Sequence, residues 1–223
     1  MKGHRLAAAA VALMLVGAGI WWAASAARPA VEGLNVVISA PAHRDDYQRS
    51  CSPGAGCVFG PAWTDDTTGT PWSHDGCDTR SQVLARDLSN VTFKPGPRRC
   101  LVLSGTLTDP YTGEHLEYTR AAASQVSIDH ILPLAVAWDR GANQWSIDQR
   151  KRFANDPDNL LATSSAINQA KSDKMPDHWQ PTLPTGRCLY ATRLVEVAIK
   201  YQLPVTVAEN AALRTGLGSC AGA

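Results

Sequence analysis

Hydrophobic and polar residues follow three regimes along the chain. From Leu6 to Ala27 the positions are uncharged and mostly apolar without a break. From Arg28 to Gly76, Pro, Gly, Ser, Thr and Asp interrupt every apolar run, which predicts a loop-rich lead-in with Trp63 and Trp72 as its anchors on a core. Periodic patterns take over at Cys77. Asp78 or Thr79 caps a helix through about Leu88, with Val83, Leu84 and Leu88 on one side. In CLVLSGTLT, Leu101, Leu103 and Leu107 alternate with smaller or polar residues, DPYTG turns the chain and HLEYT returns, the pattern of a β-hairpin. Gln125 to Asp129 reads as a short strand that leaves His130 at its end, before a loop broken by Pro133. Ser146 with Gln149 opens a helix through about Ala154, and NDPDN is turn chemistry. Ser164 or Ser165 caps a helix that carries Ile167, Asn168 and Lys171, the last two on one face. After a Pro-rich stretch, a helix from about Arg187 to Gln202 buries Leu194, Val195, Ala198 and Tyr201, and Thr206 with Glu209 caps a last helix before Gly216.

The 223 residues suffice for one good-sized domain, alone or with an appendage, and 44% apolar content with seven Trp excludes wholesale disorder. The leader of 22 uncharged residues follows Lys2 and Arg5, the layout of a secretory signal. It exceeds the usual h-region of roughly 7 to 15 residues and approaches the ~20 that span a bilayer, so residues 1–27 are either a cleaved signal peptide or a retained N-terminal membrane anchor. Both place the rest of the chain outside the cytoplasm, secreted or anchored to the membrane. The division expected is leader 1–27, lead-in 28–76 and a functional domain over 77–223. From Arg28 onward 19 Lys and Arg stand against 20 Asp and Glu, so no polybasic coat advertises a nucleic-acid partner.

All six cysteines follow the leader, in an oxidising compartment, where an even number reads as disulfides. Fifteen pairings are open in principle. Local spacing favours Cys51 with Cys57, Cys77 with Cys100 and Cys188 with Cys220. Zinc, the rival, needs reduced thiols, and the chain has no C-x-x-C pair.

One constellation carries chemistry. Phosphodiester hydrolysis at neutral pH needs a base to activate water, a divalent cation and oxygen ligands to hold it. Asp129, His130, Asn159, Asn168 and Lys171 supply those parts: an imidazole with an ordinary pKa of about 6.5, oxygen donors suited to a hard cation, and a point charge for phosphate at Lys171. Each residue alone has a bland reading. His130 would be a satisfied structural histidine, Asn159 a turn residue, and Asn168 and Lys171 a solvated helix face.

Together, DHILPLA and DNLLATSSAINQAKSD make the string similar to the HNH (His-Me finger, ββα-metal) nucleases. The likeness is strongest to the C-terminal domain of the GmrSD restriction endonucleases and its secreted actinobacterial relatives, and extends to the HNH domain of CRISPR RNA-guided nucleases. It is strong over about Val126 to Asp173 and reaches roughly from Gly76 to Cys220. The resemblance implies an α+β fold with a ββα-metal core, a β-hairpin and peripheral helices, stabilised by disulfides. It makes Asp129 and Asn168 metal ligands, His130 the general base and Asn159 the residue that fixes the loop carrying the base. Asn168 stands where many HNH proteins have a final His, which favours Mg²⁺, with Mn²⁺ next and Zn²⁺ last. The activity implied is an exported, metal-dependent endonuclease of low sequence specificity acting on DNA, with RNA as a further substrate, and a monomer is expected. The alternative is a non-catalytic, disulfide-stabilised binding or cell-envelope module on the same scaffold.

Other residues carry weaker signals. His43, His74 and His115 lack partners at ligand spacing, and His178 beside Trp179 reads as a surface or core residue. Asp78 and Arg80 read as a helix cap and its salt bridge; Arg150, Lys151 and Arg152 read as a solvated face before a phosphate site. Asp173 divides between support of a metal and a helix-end turn.

Overall fold

The computed structural model describes residues 31–222, so the leader expected over 1–27 lies outside the described residues. In chain order the elements are β1 (Val36–Val37), α1 (Thr79–Asp87), β2 (Ser89–Phe93), β3 (Val102–Thr108), β4 (His115–Thr119), β5 (Val126–His130), α2 (Leu134–Asp139), α3 (Ile147–Ala154), β6 (Leu160–Ser164), α4 (Ser165–Lys171), α5 (Pro184–Lys200), β7 (Val205–Thr206) and α6 (Val207–Gly218). They form a mixed α+β architecture with three small sheets: antiparallel β2-β3-β4, antiparallel β5-β6, and parallel β1-β7. Among the described residues no helix is long and apolar enough to cross a membrane.

Helix starts follow the capping residues of the sequence. The Asp78 carboxylate accepts from the Ser81 backbone N–H at 2.9 Å, Ser164 caps α4, and Thr206 with Glu209 closes a reciprocal capping box on α6. The hairpin pairs Thr108 with His115 and Ser104 with Thr119 across the DPYTG turn. Its inward face differs from the simple alternation: Val102 and Leu107 are buried, whereas Leu101 and Leu103 are only partly so. Register irregularities between β2 and β3 break the two-residue period there. Gly105 lets β2 approach, because a Cβ at that position would sit 2.9 Å from Leu88 Cδ2 and 3.0 Å from the Ser89 carbonyl oxygen.

Two hydrophobic cores result. One joins α1 to the β3-β4 and β5-β6 sheets through Val83, Leu84, Leu107, Tyr118, Ile128 and Leu160. The other is helical, with Trp138, Phe153, Tyr190, Leu194, Val195 and Leu213 around the fully buried Phe59 of the lead-in. Three disulfides close the expected loops, Cys51–Cys57, Cys77–Cys100 and Cys188–Cys220. A buried bidentate pair, Arg140 to Glu209 at 2.6 and 2.8 Å, ties the end of α2 to α6.

The lead-in is irregular, as its composition predicts, but it is bound to the body throughout. Trp138 Nε1 donates to Asp46 at 2.8 Å, Lys151 pairs with Asp66 at 2.7 Å, and Arg152 donates to the Thr68 carbonyl at 2.6 Å. Lys151 and Arg152 therefore hold the lead-in rather than forming a free basic face. Arg80 likewise makes no salt bridge with Asp78; its guanidinium donates to the Ala123 and Val126 carbonyls at 3.1 and 2.8 Å.

Candidate active site

β5, β6 and α4 build the site. Residues Asp129 and His130 end β5 opposite Leu161 and Leu160 of β6, and α4 follows β6 without a gap. The Asn159 side chain, fully buried, clamps the turn after β5: its Oδ1 accepts from Leu132 N–H at 2.8 Å and its Nδ2 donates to the Leu132 carbonyl at 3.2 Å. Its backbone carbonyl also accepts from Ile131 N–H at 2.9 Å. The backbone leaving His130 is thus fixed by three bonds to one residue.

Two contacts and burial set the state of His130. Its Nε2 lies 2.9 Å from the Ala154 carbonyl, which can only accept, so this bond assigns the proton to Nε2 and leaves the Nδ1 lone pair available. Trp63 stacks on the ring at 5.7 Å between centroids and 10° between planes. Burial then lowers the imidazole pKa to about 4, partly opposed by the Ala154 bond, so at pH 7 the ring is neutral.

Asp129 is 2% exposed and engaged on both oxygens: Tyr111 donates its hydroxyl to Oδ2 at 2.7 Å, and Lys171 donates Nζ to Oδ1 at 2.8 Å. Burial, reinforced by the Asp129 charge, pushes the Tyr111 phenol well above its usual range and keeps it a donor. Lys171 is fully buried, and its second bond goes to the His130 carbonyl at 2.9 Å. The expected approach of Lys171 to phosphate is not what this placement allows, because the ammonium points away from solvent into the β5-α4 junction. Its i, i+3 relation to Asn168 puts both on α4, yet only Asn168 reaches the open side.

A cleft of about 310 Å³ gathers Asp129, His130, Asn168 and Asp173 with two lead-in residues, Arg49 and Trp63. Asn159 supports this cleft from behind, and Lys171 lies beneath it. Among the described residues no three His, Cys, Asp or Glu side chains converge into a metal cage. The chemistry of the donor set still suits a hard divalent cation. The carboxylate and amide on the cleft are oxygen donors, each carboxylate oxygen keeps a second lone pair beyond its present bond, and such an ion takes its remaining ligands from water. Zinc, which favours nitrogen and sulfur ligands, is the poorer match to these oxygen donors.

Residues that the sequence did not single out are Tyr111, Arg49 and Asp109. Asp109, fully buried, accepts from Tyr111 N–H, Thr163 Oγ1 and Ser164 N–H, and so ties the DPYTG turn to the start of α4. The turn motif carried Asp109 and Tyr111 in plain view, but nothing local says that the turn folds back under β5. Among the described residues the other histidines, His43, His74, His115 and His178, do not line the cleft: His43 pairs with Asp139 at 3.0 Å, His115 with Thr108 at 3.1 Å, and His178 with Asp177 at 3.1 Å.

Comparison with known proteins is consistent with this geometry. The family model described as "GmrSD restriction endonucleases, C-terminal domain" matches residues 78–215. A protein of Arthroderma benhamiae named "Uncharacterized secreted protein" is 42% identical over 146 residues, covering 65% of this chain and 68% of the relative. No solved structure matches.

Proposed function

The chain belongs to the family of GmrSD restriction endonuclease C-terminal domains, and on that premise we propose that it is an exported, divalent-metal-dependent endonuclease that hydrolyses phosphodiester bonds of DNA. The observation that carries the reading is the state of His130. Its Nε2 is committed to Ala154, its ring is neutral, and it lies in one cleft with Asp129 and Asn168. His130 Nδ1 takes the proton of a water that attacks phosphorus in line with the leaving oxygen. Asp129 and Asn168 hold a divalent cation, Mg²⁺ or Mn²⁺, which when bound supplies neutralisation of the charge that develops on the phosphate. Lys171 and Tyr111 hold the Asp129 carboxylate in one orientation, and Asn159 keeps the turn after the base from shifting. Export follows from the disulfides, the leader and the name of the relative.

The test is conversion of supercoiled plasmid to nicked and linear forms by the oxidised full chain. Cleavage is expected with Mg²⁺ and with Mn²⁺, and none with chelator; cleavage unaffected by chelator would remove the metal from the account. One observation favours a second reading, a binding module without turnover: each Asp129 oxygen already accepts a bond from within the protein, from Tyr111 and from Lys171. That module would leave plasmid intact under every metal while remaining folded.

A further inference from the structure

The cleft is lined by two carboxylates, Asp129, which is paired from within by Lys171 at 2.8 Å, and Asp173, for which no salt bridge forms among the described residues. A divalent cation at Asp129 would neutralise that side of the cleft, but Asp173 still repels an anionic substrate, and a positive side chain from elsewhere would offset it. Arg49 is the Lys or Arg that lines this cleft, and it comes from the lead-in, outside the region 78–215 matched by the family model. We infer that Arg49 is the phosphate-binding residue of the cleft, so that the lead-in is part of the substrate site rather than a tether.

The local structure holds Arg49 in place. Its neighbours are pinned on both sides, Ser50 accepting from Cys57 N–H at 2.9 Å and Gln48 from Val58 N–H at 3.1 Å. The Cys51–Cys57 disulfide closes that small loop, and Phe59 anchors it in the helical core. One N–H of the guanidinium donates to the Gly60 carbonyl at 2.9 Å, which leaves four of its five donors. No carboxylate among the described residues pairs with it. Half-burial lowers its pKa from the usual 12.5, but a guanidinium remains charged at neutral pH. A pre-set, unpaired fork facing a cleft suits the bidentate geometry of a phosphate.

This assignment deepens the nuclease reading, and a binding measurement separates the two. Fluorescence anisotropy with a short duplex DNA, in chelator and over a range of salt, reads phosphate contact without turnover. For Arg49→Gln in the full chain, affinity is expected to fall about tenfold. The slope of log affinity against log salt should become shallower by about 0.9, the share of one phosphate on duplex. Arg49→Lys keeps the charge and should keep the slope while recovering part of the affinity; a purely structural role would not move the slope. Wild-type affinity and slope in Arg49→Gln, or no duplex binding by the wild type, overturns the assignment. Plasmid cleavage run beside it distinguishes the failures. Binding that depends on Arg49 without cleavage under any metal sinks the nuclease reading and leaves Arg49 standing, whereas cleavage with Arg49-independent binding does the reverse.

Discussion

Asp129 is held between the Tyr111 hydroxyl and the Lys171 ammonium with almost no exposure to water, so its orientation is set by both partners. Removing one side of such a pair leaves a buried charge uncompensated, which typically costs about 3–5 kcal/mol. Lys171→Met is therefore expected to lower stability by roughly that amount, read as a shift in the denaturant midpoint at unchanged slope. A surface cation serving phosphate would change stability by at most about 0.5 kcal/mol, so a small shift would return Lys171 to the substrate. The residue scale also shows what the sequence exposes and what it hides. Asp129, His130, Asn159 and Asn168 could be singled out because they lie in two short strings, DHILPLA and DNLLATSSAINQAKSD, that carry the family resemblance. Lys171 was legible as a member but not in its direction, since spacing along a seven-residue helix fixes its face relative to Asn168 and not its depth. Tyr111 and Arg49 reach the site from 18 and 80 positions before Asp129, a separation that no local pattern reports.

At the scale of elements, caps and turns were the readable features. Asp78, Ser146, Ser164 and Thr206 each start the helix that their type predicts. Besides the two-residue strands β1 and β7, three elements escaped. β2 is a five-residue strand with a broken register, β6 is buried at every position and so lacks an alternating pattern, and α2 begins immediately after Pro133, a residue that opens a helix as readily as it stops one. The close approach of α5 and α6 was hidden for a different reason, since it depends on an absent side chain. A Cβ at Gly216 would lie 2.8 Å from Ala191 Cβ and 3.2 Å from the Arg187 carbonyl oxygen. Gly216→Val is expected to separate the two helices and cost roughly 1–3 kcal/mol. Calorimetry of the oxidised protein checks this; an unchanged melting temperature would mean that the helices do not pack as closely as described.

At the scale of the molecule, two cores and three disulfides form a frame, and the lead-in is bound across it by side-chain bonds and Phe59. The disulfide pairing was readable from spacing, and the α+β class from the resemblance to the HNH nucleases. The course of the lead-in over the cleft was not, because irregular chain has no period to read and its anchors, Trp63 among them, are single residues. The near-balanced charge beyond residue 27 fits the proposal of a site that engages few phosphates, through a metal and one arginine, rather than a basic coat. The central claim is that His130 acts as the base of a phosphodiesterase. Its direct test is cleavage of supercoiled plasmid in Mg²⁺ by the wild type and by His130→Ala, each matched for fold by circular dichroism. The account predicts a loss of about 10²–10⁴-fold in the variant, the usual contribution of a general base. Equal cleavage by both proteins would contradict it.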